Sequence, residues 1–97
     1  MKTFDLSELK KEIISVYGSV SKMKQHLIDT SKYEYGCMYS EISIYGCKVS
    51  YNTNSNCWAM FQISIPTVGM SNSLALDRES INRVGFERGC GSEFINL

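Results

Sequence analysis

Four cysteines and one histidine are the side chains here best suited to covalent or metal chemistry. Cys37, Cys47 and Cys57 recur at intervals of ten, and Cys90 stands apart. A structural zinc site is announced by thiolates two to four residues apart, and an interval of ten is not that signature. Tyr-Gly-Cys occurs twice, at 35–37 and 45–47, which by itself does not establish an internal repeat. If a hairpin turns at Asn52–Asn56 so that Tyr51 opposes Cys57, then Cys47 and Cys57 lie roughly 13 Å apart along the ladder. A disulfide tolerates a Cα separation of about 7 Å at most. Both are therefore expected as small core residues, and neither a metal nor a cofactor is expected.

Cys90 sits between Gly89 and Gly91, which give it little cover. A nucleophilic thiolate needs a base, a cation or a helix N-terminus to lower its pKa. Arg88 is close in sequence and His26 is the sole histidine, so a Cys90–His26 pair is conceivable on paper. No third, orienting residue can be identified. Phosphate-loop, His-Glu-x-x-His and Gly-x-Ser-x-Gly motifs are absent from the sequence. The expectation is a protein that is not an enzyme.

Binding chemistry has more to draw on. The stretch Ile14-Ser-Val-Tyr-Gly-Ser-Val-Ser-Lys-Met-Lys-Gln-His-Leu27 resembles the first half of a helix-turn-helix. That resemblance implies DNA binding with Lys22, Lys24 and His26 toward the nucleic acid, and it calls for a polar recognition helix to follow. Residues 33–51 are instead rich in Tyr and Ile at strand spacing. Tyr33, Tyr35, Tyr39, Tyr45 and Tyr51 crowd together near Trp58, and Tyr, Trp and Arg are the residues enriched at the energetic centres of protein interfaces. Lys plus Arg equals Asp plus Glu at ten each. A balanced surface disfavours strong phosphate binding, which depends on displacing counterions from nucleic acid. There is a mild asymmetry: residues 1–32 carry six lysines and only four of the ten acids.

The elements that must position these groups begin with a helix. Asp5 and Glu8 form a capping box, with Phe4 and Leu9 at the staple positions. Leu6, Leu9, Ile13, Val16 or Tyr17, and Val20 follow at helical spacing. Gly18 can end this helix and Ser19 can cap a second, whose buried stripe is Val20, Met23, Leu27 and Ile28, ending near Thr30–Lys32. From Tyr33 the period falls to two. Tyr45–Tyr51 and Cys57–Ile65 read as a hairpin, with Val49 opposite Ala59 and Cys47 opposite Phe61. A β-bulge at Tyr45–Gly46 then returns Ile42 and Ile44 to the apolar face. Tyr35–Tyr39 reads as a further strand, separate or continuous with the next, and Pro66 is expected to end the run. Asp77 caps a short helix closed by Gly85, with Phe86 folding back on Ile81. Phe94–Leu97 reads as a last strand.

These elements make a single α+β domain over residues 1–97. Two N-terminal helices and a short C-terminal helix pack on a small, mostly antiparallel sheet. In that register Trp58, Met60, Gln62, Ser50 and Lys48 project from the face opposite the apolar one. That face, with Tyr39, Tyr45, Arg83 and Arg88, is the expected surface for another protein or protein complex, or for a homodimer partner. Nucleic acid is the disfavoured alternative. No segment is apolar enough to read as a membrane span or signal peptide, so the expected place is the cytoplasm. Small motif-free domains are common among phage and mobile-element inhibitors of host machinery, anti-CRISPR proteins among them. This makes inhibition a class-level expectation that no single residue carries.

Overall fold

The computed structural model describes residues 5–34, 36–54, 57, 59–67, 70–83 and 94–97. Phe4, Tyr35, Trp58, Gly85, Phe86, Arg88 and Cys90 lie outside the described residues.

Helix α1 (Leu6–Tyr17) and helix α2 (Val20–Thr30) start and stop where their caps dictate. The Asp5 carboxylate accepts from the amides of Ser7 and Glu8, and the Ser19 hydroxyl accepts from the amide of Lys22. Each satisfies a donor that the first helical turn would leave orphaned. Gly18 breaks the chain between the helices at φ 99°, a conformation that an L side chain strains to adopt. Leu9, Ile13, Met23 and Leu27 are fully buried. Burial of each such side chain stabilises by roughly 1.5–3 kcal/mol. Leu6 and Ile28, expected on the buried stripes, are instead more than a third exposed.

Five antiparallel strands follow in simple order: β1 (Lys32–Glu34), β2 (Cys37–Ile44), β3 (Cys47–Asn52), β4 (Phe61–Thr67) and β5 (Met70–Ala75). Met38, Ser40, Ile42, Ile44, Cys47, Val49, Tyr51, Phe61, Ile63, Ile65 and Leu74 line one face, beneath the helices. The Ser40 hydroxyl donates to the Leu27 carbonyl at 2.5 Å, so the one buried hydroxyl on that face of β2 ties the strand to α2. A single 3-10 turn, Arg78–Ser80, follows β5. Phe94 adds a parallel bridge to Ala75. The fold is α+β, with two helices and a 3-10 turn on an antiparallel sheet among the described residues.

The sheet differs from the sequence expectation in its details. Tyr45 and Gly46 do not form a bulge. They are the two central residues of a tight hairpin between β2 and β3, at φ 53° and 74°, with Ile44 paired to Cys47. Positive φ at both positions is what a two-residue turn of matching twist requires. Glu34↔Cys37 pairing leaves a second two-residue connection, with Gly36 at φ 83°, so each Tyr-Gly-Cys spans a reversal and delivers its cysteine as the first residue of a strand. Tyr51 opposes Phe61, not Cys57, and Val49 opposes Ile63, not Ala59; the expected register is displaced by four residues.

Pro66 does not end its strand: β4 continues to Thr67, with Pro66 opposite Ser71. The reason lies in alternation. Even-numbered residues of β4 direct their backbone groups toward β3, as the Asn52 amide to Met60 carbonyl bond of 2.9 Å shows. The pairing of β3 with β4 stops at Lys48↔Ser64, so no ladder bond is asked of a residue lacking N–H. Asp77 does cap a helical turn, accepting from the Ser80 amide. That turn closes at Ile81, which is extended and bridges Ala59, so no longer helix runs on through 81. The expected Gly85 cap and Phe86 contact lie outside the described residues.

Candidate binding face and its two clefts

The sheet face away from the helices is divided. Over β4 and β5, Ala59, Ala75, Ile81 and Phe94 form a small second cluster. Gln62 is tied there by its side-chain amide, which donates to the Ala59 carbonyl at 3.1 Å and to Cys57 Sγ at 2.8 Å. Over β1, β2 and β3 no described element packs, and Tyr39, Glu41, Ser43, Lys48, Ser50 and Asn52 face outward. An antiparallel sheet with one solvated face alternates in this way.

On that open surface the side chains are organised. The Tyr39 hydroxyl donates to Glu41 Oε2 at 2.9 Å, and Lys48 Nζ lies 3.2 Å from the same oxygen. Partial burial, then the bond to Glu41, push the Tyr39 hydroxyl up to about 12. The same bond from Tyr39, followed by the Lys48 ammonium, holds the Glu41 carboxyl below its usual range. At neutral pH Tyr39 is therefore a fixed donor and Glu41 a fixed acceptor, a surface suited to hydrogen bonding.

Two clefts meet at Tyr39. One, of about 450 Å³, is lined by His26, Thr30, Lys32, Glu34, Tyr39, Ser40, Glu41 and Ile42. The other, of about 290 Å³, lies between Glu34, Cys37, Tyr39, Asn52 and Asn54. Glu34 and Tyr39 belong to both. The Asn52 side chain accepts from the Asn54 amide at 2.8 Å, and the Thr53 hydroxyl accepts from the Met38 amide at 2.9 Å, which shapes the far rim.

Of the residues singled out from the sequence, Tyr39 and Lys48 come together on this face through Glu41. Met60 is exposed and follows on β3's other side, next to Asn52. Tyr45 is carried to the hairpin end, where it packs against the core, away from Tyr39. Arg83 is exposed beyond Asn82, whose side-chain amide donates to the Cys57 carbonyl at 2.8 Å. Trp58 and Arg88 are outside the described residues. Glu34 and Glu41 were not anticipated: Glu41 stands beside Tyr39 as its neighbour two residues on along β2, and the pairing of β1 with β2 brings Glu34 near.

Helices α1 and α2 form on either side of Gly18–Ser19, and the chain then enters β1 where a helix-turn-helix would place its recognition helix. Lys22 is exposed. Lys24 is paired with the Asp77 carboxylate and sits 5.4 Å from the centre of the Phe61 ring. His26 packs on Tyr17 with ring centres 5.2 Å apart and lines the larger cleft. Lys22 and His26 share a helix face, whereas Lys24 points roughly 200° away from each. Cys37, Cys47 and Cys57 are free thiols, with Cys47 buried and Cys57 half-buried. Among the described residues no group of three or more His, Cys, Asp and Glu could hold a metal ion. No helix is long and apolar enough to cross a membrane among those residues.

Compared with protein families, curated proteins and solved structures, the chain finds no match in any of the three.

Proposed function

We propose that this protein is a non-enzymatic binding domain that holds another protein on the outer face of β1, β2 and β3. The observation that carries the reading is the juncture at Tyr39. There, two clefts meet at the β1 margin of a sheet face over which no described element packs, and a hydrogen-bonded Tyr39–Glu41–Lys48 set presents defined donors and acceptors. A partly buried tyrosine offers large contact area at little entropic cost, which suits it to anchoring an interface. Met60, at the margin of the same face, adds adaptable apolar area.

The finer form of the proposal is an inhibitor of a host machine, such as a CRISPR effector, working in the cytoplasm. Three free thiols fit a reducing compartment. The test is affinity capture from a bacterial lysate with the wild-type chain and with a Tyr39→Ala, Lys48→Ala double variant shown to be folded. A partner retained by the first and lost by the second supports the reading. The reading fails if both recover the same proteins, if only nucleic acid is recovered, or if light scattering shows the face consumed by a homodimer. Undiminished nuclease activity of a captured effector at saturating protein would end the inhibitory form alone.

A further inference from the structure

The larger cleft lies along a stretch of β2 whose outer edge has no strand beside it. Strand β1 is short and pairs only with Cys37, Met38 and Tyr39. Beyond that, Glu41 to Ile44 have no partner on the β1 side among the described residues. Backbone parity follows from the hairpin. Ile44 and Cys47 flank the two-residue turn, so the even-numbered residues of β2 bond to β3. The Thr53 amide donating to the Met38 carbonyl at 3.1 Å confirms that parity at the strand's other end. The odd-numbered residues therefore aim their N–H and C=O outward. Tyr39 meets Lys32 of β1, whereas Glu41 and Ser43 have no strand on that side among the described residues.

We infer that this edge is a strand-addition site for an extended segment of another protein, laid antiparallel to β2 in line with β1. Two edge residues whose outward backbone groups pair with no described strand form a template for main-chain pairing. The space is already open: the cleft of about 450 Å³ runs beside Glu41 and Ile42, between the sheet and the His26–Thr30 side of α2. Ile42 supplies the selectivity. It is half-buried against the core on the helix side and has no cross-strand neighbour at this edge. The incoming residue opposite Ile42 points to that same face and is apolar; those opposite Glu41 and Ser43 point outward and are polar. The inference rests on the backbone of β2 and stands apart from the outer-face contact.

Random short peptides displayed on phage, selected on the monomeric wild-type chain, supply the probe, and a synthetic copy of the enriched peptide is used for binding. Ser43→Pro deletes the outward donor while leaving the ladder to β3 intact, and Ser43→Ala keeps that donor. The expected result is an enriched polar–apolar–polar sequence that binds wild type and Ser43→Ala alike and Ser43→Pro about tenfold more weakly or worse. Hydrogen exchange on the wild-type protein gives a readout independent of any variant: the Glu41 and Ser43 amides exchange quickly alone and slow on adding peptide. Several outcomes overturn the inference: no enriched peptide, equal binding to a folded Ser43→Pro, or a peptide that depends on Lys48 and not on Ser43. Protection of the two amides that grows with protein concentration alone would assign the edge to a second copy and overturn it as well.

Discussion

Among single residues, Asp77 has the most to do. It caps the 3-10 turn through Ser80, whose amide and hydroxyl both donate to it, and it takes the ammonium of Lys24 from α2. Partial burial opposes its charge, yet the Lys24 and Ser80 bonds outweigh that and hold its carboxyl below the ordinary value. A depressed carboxyl contributes stability above its unfolded pKa, and that contribution is lost as pH falls through the folded one. Asp77→Asn keeps the cap and removes the charge. It should cost about 1 kcal/mol at pH 7, with the deficit vanishing on acidification below the carboxylate range. Urea midpoints of both proteins across pH would show this; a deficit that persists at the acid end would mean that packing, and not charge, is what Asn lacks.

Among elements, the β2–β3 hairpin depends on the conformation of its turn. Gly46 at φ 74° has no atom within 4 Å of where a Cβ would stand, so the strain of adding one is purely that of the backbone. Gly46→Ala should destabilise by about 1 kcal/mol, measured by chemical denaturation, with an unchanged fold by circular dichroism. A neutral substitution would show that the turn relaxes to another type. The same hairpin fixes the parity of β2: it decides that Ser40 turns its backbone to β3 and its hydroxyl to Leu27, while Glu41 is left at the edge. A one-residue slip there would send every core side chain of the strand to solvent.

Across the whole molecule, the two sheet faces behave differently. The helix side is packed, the other carries a small cluster over β4–β5, and over β1–β3 no described element packs. The thiols report this asymmetry. Cys47 is 2% exposed, and burial raises its pKa, whereas Cys37 and Cys57 are half-buried. A chain of this size is stable by only about 5–15 kcal/mol, so Cys47 should label on the timescale of global opening and the other two much faster. Peptide mapping after a thiol reagent, repeated across sub-denaturing urea, measures each rate. Cys47 labelling as quickly as Cys37 in water would show that the helices lift from the sheet locally.

What the sequence determined by itself is whatever local chemistry decides. Asp5, Gly18, Ser19 and Asp77 each act where they were expected to, because a cap is satisfied within a few residues of itself. The face assignments of Cys47, Val49, Tyr51, Phe61, Ile63, Lys48, Ser50 and Gln62 also stand. They survive a register wrong by four, since an even displacement leaves a period of two unchanged. Tertiary structure alone decided the register, the sharing of Tyr39 by two clefts, and the short β1 that leaves Glu41 and Ser43 at an open edge. Each of these depends on the conformation of the connections and on how the sheet and the helices pack together, and none is set by the alternation within a strand. Alternation shows which way a side chain faces; it carries no information about which strand lies alongside.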